Sequence, residues 1–216
     1  MHSVEVGGAW LQLLAERAAF MADEGTLLVA DIHVGKDASF RGLGVPVPPG
    51  ATESTLDRLS RVVGDTQARR LVVLGDFWHS SRSRAPEVLA ALANWRERHA
   101  ALQVTLVRGN HDQRAGDPPA GLGIRACDAP LALGPYRLVH EPETLPQDEG
   151  YVLAGHVHPC VVVGGRGFDR LRLPCFHFGE RVGVLPAFGE FTGGHVLPRE
   201  PGDRVFAVAD GRLHAV

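Results

Sequence analysis

Lysine is nearly missing from these 216 residues: Lys36 is the only one, so all the other members of the 22 basic residues are arginines. Arginine carries a planar fork of donors that suits phosphate, so this scarcity does not remove anion-binding chemistry. An excess of positive charge is also missing, the formal net charge being -3. That excludes a general electrostatic grip on nucleic acid or an anionic membrane, and leaves a local basic patch or bound cations as the means of holding a polyanion. Cysteine is sparse, with Cys127, Cys160 and Cys175 alone and no C-x-x-C pair. An odd count without that pair argues against a disulfide framework or a zinc knuckle and fits a reducing compartment. No apolar run approaches the roughly 18 residues of a membrane span. Residues Met1–Glu5 open with neither a basic nor an apolar segment. The expectation is therefore a cytoplasmic chain with no signal peptide and no membrane contact.

What is present is an ordinary globular balance, 44% apolar and 22% charged, with 26 glycines and 15 prolines that imply many turns. The length suits one domain over 1–216. Five short runs, Thr26–Ala30, Arg70–Leu74, Leu102–Val107, Tyr136–Val139 and Tyr151–Ala154, are apolar without alternation, as strands covered on both faces should be. Two helices are predicted between the early strands. Thr52–Val63 places Leu56, Leu59 and Val63 on one face; Pro86–His99 does the same with Val88, Leu92 and Trp95 behind a proline suited to a first turn. The first half reads β-α-β-α-β. After Gly123 the pattern is strand and turn, with meandering strands over 160–189 and 203–215. The expected class is α/β, two packed mixed β-sheets flanked by helices.

The strand ends carry the chemistry. Successive runs finish on Asp31-Ile32-His33, Asp76-Phe77-Trp78-His79, Asn110-His111-Asp112, His140 and His156-Val157-His158. Ligands in α/β sheets gather beyond the carboxyl ends of strands, so these segments can converge on one rim. Asp31, His33, Asp76, Asn110, His140, His156 and His158 form a nitrogen and oxygen donor set without thiolate, which suits Mn, Fe or Zn. Seven donors are too many for one ion, which is satisfied by about four, but they suit two ions that share a carboxylate and clamp a phosphate. A strand alternating its faces would point His156 and His158 apart, so that pair must lie on a loop or serve two ions from different sides.

The five blocks, in order, resemble the calcineurin-like binuclear metallophosphoesterases, whose pattern is D-x-H, G-D-x-x-(D/H), G-N-H-(D/E), a lone His and G-H-x-H. The resemblance implies an αββα sandwich, with one metal on Asp31, His33, Asp76 and His158 and a second on Asp76, Asn110, His140 and His156. It further implies two-metal activation of a bridging hydroxide, with His111 over the scissile phosphate and Asp112 as its orienting carboxylate. His79, where the protein-phosphatase branch has Asp, is similar to SbcD-type nucleases and would contact the phosphate. The stretches Ala30–Lys36, Phe40-Arg41, Gly44–Pro48, Leu185–Gly189 and Phe191–Gly194 resemble the ligase-associated DNA-damage-response endonucleases (PdeM, or MPE). That implies two divalent ions, Mn first with Fe or Zn as alternatives, and cleavage of single-stranded DNA in bacterial repair, in association with ligase and helicase enzymes. A nucleotide or dinucleotide pyrophosphatase, or another small phosphodiester hydrolase, is the alternative that keeps the chemistry.

Around the blocks, Arg41, Arg82, Arg84 and Arg114 are candidate phosphate contacts, as is Arg108 beside the third block. The loop 80–84 reads either as a DNA-binding lip or as a solvated lead into a helix. Phe40 and Trp78 are candidates for stacking on unpaired bases; for Trp78 core packing is an equal alternative. His2, His99, His177, His195 and His214 read as surface or packing residues.

Overall fold

A computed structural model describes residues 1–48, 50–144, 150–164 and 170–216. The first half runs β1 (His2–Val6), β2 (Ala9–Leu14), β3 (Ala18–Met21), β4 (Thr26–Ala30), α1 (Lys36–Gly42), α2 (Ala51–Thr66), β5 (Arg70–Leu74), α3 (Pro86–Arg98), β6 (Gln103–Val107), α4 (Asn110–Ala115) and β7 (Ile124–Cys127). The second half adds β8 (Leu131–Leu133), β9 (Tyr136–Leu138), β10 (Tyr151–Ala154), β11 (Pro159–Gly164), β12 (Arg170–Phe178), β13 (Val182–Val184), β14 (His195–Val196), β15 (Arg204–Ala209) and β16 (Arg212–Ala215).

Strands β1 to β7 form one sheet in sequence order, antiparallel from β1 to β4 and parallel from β4 to β7. The second sheet has the order β14-β11-β12-β13-β10-β9-β8, with β15 on β12 and β16 on β15. Both are mixed sheets and helices flank them, as expected. Three antiparallel strands precede the β-α-β-α-β unit, which the sequence reading did not anticipate. In the first of them the signal was present as alternation: in β1 only Val4 and Val6 are buried. The meander over 160–189 is observed as β11, β12 and β13, although 165–169 lie outside the described residues.

The unbroken apolar runs have a simple cause. In β4, Leu27 and Val29 face α2 and α3, packing with Leu56, Leu59, Val88, Leu92 and Trp95. Leu28 and Ala30, on the opposite face, pack between the sheets with Tyr136, Leu138, Leu153, Phe176 and Phe178. Strands β5 and β6 divide in the same way, so a strand covered twice has no polar face. None of the described helices is long and apolar enough to cross a membrane.

Leu153 is fully buried between the sheets. Leu153→Ala is expected to cost about 2–5 kcal/mol, the range for a core leucine leaving a cavity. Urea unfolding checks this; a loss below about 1 kcal/mol would mean that the inter-sheet packing does not depend on it.

Candidate active site

Five strands that pair in parallel, β4, β5, β6, β9 and β10, lead into residues of the site. Asp31 and His33 follow β4, Asp76 and His79 follow β5, Asn110 and His111 open α4 after β6, His140 follows β9, and His156 and His158 follow β10. Two sheets therefore contribute to one centre. The chain turns sharply to make it. Asp31, His33, Asp76, His156 and His158 have φ of 52°, 50°, 50°, 66° and 50°, the left-handed region that side-chain-bearing residues avoid. Such backbone persists where surrounding structure over-determines it and it clusters at functional sites. His156 and His158 lie on a loop, which resolves the alternation problem.

Among the described residues, donor atoms fall into three groups, each with its atoms within 4.8 Å of one another: Asp31, His33 and His158; Asp76, His140 and His156; and His33, His79 and His111. Asp76 stands between them. Its Oδ1 lies 3.2 Å from His140 Nε2, and its Oδ2 lies 4.0 Å from His33 Nε2 and 3.8 Å from His111 Nε2. The His111 backbone N–H donates to Asp76 Oδ1 at 3.0 Å. Asn110 Oδ1 is 3.0 Å from His140 Nε2. All seven proposed donors thus come together.

The donor set fits metal. His33 Nε2 and His158 Nε2 face each other at 3.4 Å, and His156 Nδ1 faces His140 Nε2 at 3.1 Å. Paired ring nitrogens beside carboxylates suit a borderline cation. The backs of several rings are held: His140 Nδ1 by the Leu74 carbonyl at 3.0 Å, His158 Nδ1 by the Gly193 carbonyl at 3.1 Å. An N–H donated there leaves Nε2 free inward, the arrangement metal-binding histidines need. Close packing of the loops requires bare backbone. A Cβ on Gly75 would stand 2.1 Å from His140 Nδ1, and one on Gly109 would stand 2.4 Å from Asp76 Oδ1.

Burial dominates the electrostatics. It pushes His33 down to about 2 despite Asp76, with Lys36 adding to the depression. His79 is lowered to about 4 by burial, then by Lys36 and His111. Burial also opposes charge on His140, but Asp76 and Asp31 overcome it and raise the imidazole to about 9. Burial likewise disfavours charge on Asp76, yet its hydrogen bond to His140 holds it below the usual range.

His111 Nδ1 sits 2.5 Å from the His79 carbonyl oxygen. The expectation places Asp112 behind that ring. Instead both Asp112 oxygens accept backbone N–H groups, from Gly109 at 2.9 Å and Trp78 at 3.1 Å, so the carboxylate joins two loops. His79 stacks on His111 with centroids 5.6 Å apart. Trp78 is fully buried, which removes it as a base-stacking ring. Phe40 is half-buried with its ring edge-on to His79.

Most of the expected arginine contacts are engaged elsewhere. Arg41 pairs with buried Asp37 at 3.0 Å. Arg84 donates to the Asp117 carbonyl and lies 5.4 Å over the Trp78 ring. Arg108 pairs with Asp117 and Asp128. Arg82 and Arg114 are exposed, without an ion pair among the described residues. The loop 80–84 is packed, with Ser83 buried and Ser80 Oγ 2.8 Å from Ser39 Oγ, so it is not a free lip. His177 pairs with Asp203 at 2.7 Å, outside the donor groups. The sequence reading passed over Lys36 as a site residue, although it is the only lysine and follows His33 by three positions.

A two-sheet fold with carboxylates and imidazoles at its strand ends defines a class. The calcineurin-like phosphoesterase family matches residues 26–147, and the chain belongs to that family, which uses a binuclear metal centre. A solved structure, the Pseudomonas putida nuclease MPE, is 46% identical, covers 100% of this chain and 99% of that chain, and has a TM-score of 0.86. A phosphoesterase from E. coli, Yfce, is 20% identical over 88% of this chain and 97% of that chain, with a TM-score of 0.43. Among curated proteins none matches.

Gly75→Ala should displace the His140 ring and lower bound metal by about one equivalent, read by elemental analysis after metal loading; full occupancy would show that the loops yield. A pH effect follows from His140. With its imidazole raised to about 9, the metal-free protein holds a proton there at neutral pH, and this contribution to the fold is present below about 6.5 and lost as pH rises through about 9. A cation taking that nitrogen must displace the proton. Apparent metal affinity should rise with pH and level off above about 9, with binding heats at neutral pH that depend on the buffer's ionisation enthalpy. Buffer-independent heats would mean that His140 is already neutral.

Proposed function

We propose that the chain is a manganese-dependent endonuclease that hydrolyses phosphodiesters of single-stranded DNA, on one domain spanning 1–216, in the cytoplasm and in a repair setting with ligase and helicase enzymes. The observation that carries the reading is the position of Asp76, whose two oxygens face separate imidazole groups. The donor set, imidazole, carboxylate and amide without thiolate, favours Mn, with Fe or Zn as alternatives. Full-length likeness to a nuclease favours nucleic acid over a small nucleotide. The open rim agrees: His156 is exposed and the His111 side chain is 33% exposed, as a site receiving a long strand requires.

Asp31, His33, Asp76 and His158 would hold one ion, and Asp76, Asn110, His140 and His156 the other. Two such cations supply Lewis-acid charge for the phosphate oxygens and an acidified water. The chain's own residues do the rest. His111 donates its Nδ1 proton to the His79 carbonyl, which directs Nε2 toward Asp76 and the reacting phosphate. Acting as the acid, the ring carries a second proton on Nε2; that proton passes to the departing ribose oxygen as the P–O bond breaks, and the imidazole is left neutral with its Nδ1 proton. His79, neutral at pH 7, offers the phosphate a hydrogen bond and keeps the His111 ring aligned by stacking. Lys36 adds positive charge beside Asp31 and Asp76. Arg82 and Arg114 remain available to neighbouring phosphates; Asp112 fixes the loops on which Trp78 and Gly109 lie.

Metal-dependent cutting of circular single-stranded DNA in preference to duplex is the expected result. Hydrolysis of dinucleotides alone would favour the pyrophosphatase reading. His111→Ala should lose DNA cleavage by about 10²–10⁴-fold, because an alkoxide must leave with a proton. Bis(p-nitrophenyl) phosphate releases a stabilised phenolate and should still be hydrolysed by that variant. Equal loss on both substrates would make His111 a support of the metal centre.

A further inference from the structure

Beside the centre, on the His158 side, lies a cleft of about 330 Å³ lined in part by Arg17, Arg58, Arg172, Glu190, Phe191 and Gly193. Three guanidinium groups face one carboxylate there. Glu190 is already occupied, accepting the Ser54 hydroxyl at 3.1 Å and lying 4.0 Å from Arg58. Arg58 donates to the Phe188 carbonyl and lies 4.4 Å over the Phe188 ring, with its buried Nε unpartnered. Among the described residues Arg17 makes only long contacts, 3.4 and 3.5 Å, to the Ala187 and Gly189 carbonyls. Arg172 is exposed and spends one nitrogen on the Gly194 carbonyl at 3.2 Å, leaving the remainder of its fork free. In a chain of net charge -3, this is a local basic surface directly adjoining the donor groups.

Phe191 is the other half of the feature. The residue is 54% exposed, its ring has no aromatic partner among the described residues, and it sits on left-handed backbone at φ 55°. It borders the cleft next to His158 and a second hollow next to His33 and Lys36. The loop that carries it is tied down at both ends. Phe188 N–H donates to the Ala30 carbonyl at 2.7 Å and Gly189 N–H to the Asp31 carbonyl at 3.0 Å. At the far end the Gly193 carbonyl takes His158 Nδ1 at 3.1 Å, and His195 N–H donates to the His158 carbonyl at 2.9 Å. An exposed aromatic ring fixed on strained backbone between two metal-site histidines is not explained by packing.

We infer that this cleft is a nucleotide subsite flanking the scissile phosphate: Phe191 stacks on the base next to the cleaved bond, and Arg17 and Arg172 hold the phosphate beyond it. Stacking on an aromatic face is indifferent to base identity, and guanidinium contacts position the backbone without reading sequence. The subsite rests on the single-stranded-DNA reading above and gives the strand a direction across the rim, from the metals toward β12. The same loop sets both the His158 ring and the stacking surface, so the strand is placed relative to the metals by one rigid segment.

Cleavage of an oligothymidylate is compared with that of an identical backbone carrying abasic residues. For the native protein the KM should rise about tenfold on loss of the bases, the scale of one stacking contact. Phe191→Ala should raise the KM for the thymidylate strand by a similar factor and show little further response to base removal, while Phe191→Tyr keeps the native response. Arg172→Ala should reduce the salt slope of strand binding by about 0.7, one phosphate contact. A Phe191→Ala protein as sensitive to base removal as the native one overturns the subsite while DNA cleavage stands. A native protein that cuts neither strand yet hydrolyses bis(p-nitrophenyl) phosphate overturns the nucleic-acid reading itself.

Discussion

The buried Asp76 carboxylate is the constraint to which the rest of the centre answers. Only 3% of its side chain is exposed, and an isolated charge at that depth would be prohibitively costly. The surroundings compensate with a backbone N–H from His111 and with imidazoles on both sides. In the metal-free chain the His140 proton serves as counter-charge. Cations would take over that role, so the site is organised to accept positive charge whatever its source. The absence of side chains at Gly75 and Gly109 follows from the same demand, since a Cβ at either place would occupy the space needed by His140 or Asp76.

Ring orientation is the second level of organisation, and it is set by backbone carbonyls. Leu74 holds His140, Gly193 holds His158 and His79 holds His111, each through Nδ1. These carbonyls come from the end of β5 with its following loop and from the Gly193 loop, so the ring orientations are fixed by the way these segments pack together. Asp112 acts one step further back, tying the loop after β5 to the start of α4. His111 is positioned by the consequence of that tie: the His79 carbonyl arrives beneath its ring.

Much of this was legible in the residues. Strands β4, β5 and β10 were readable to the residue because double coverage makes their apolar runs continuous. The seven proposed donors stand at the ends of such runs, which is why the structure brings them to one place. What escaped was set by contacts between segments. Nothing local distinguishes the Asp112 carboxylate as a loop tie from an imidazole partner. Trp78 follows a site strand and could have faced solvent; its burial depends on α3 and the packed loop 80–84. Arg84 and Arg108 look free in one dimension and are bound to residues near 117 in three. The N-terminal strands were missed although β1 alternates, since no chemistry marked them.

The left-handed backbone at Asp31, His33, Asp76, His156 and His158 has a consequence for how such a chain evolves. Each of these residues costs about 1–3 kcal/mol relative to relaxed backbone, so the centre is a standing debit against the fold. Glycine or asparagine at the same places would relieve that strain. A lineage released from catalysis would therefore drift toward such residues and become sturdier as it lost its chemistry.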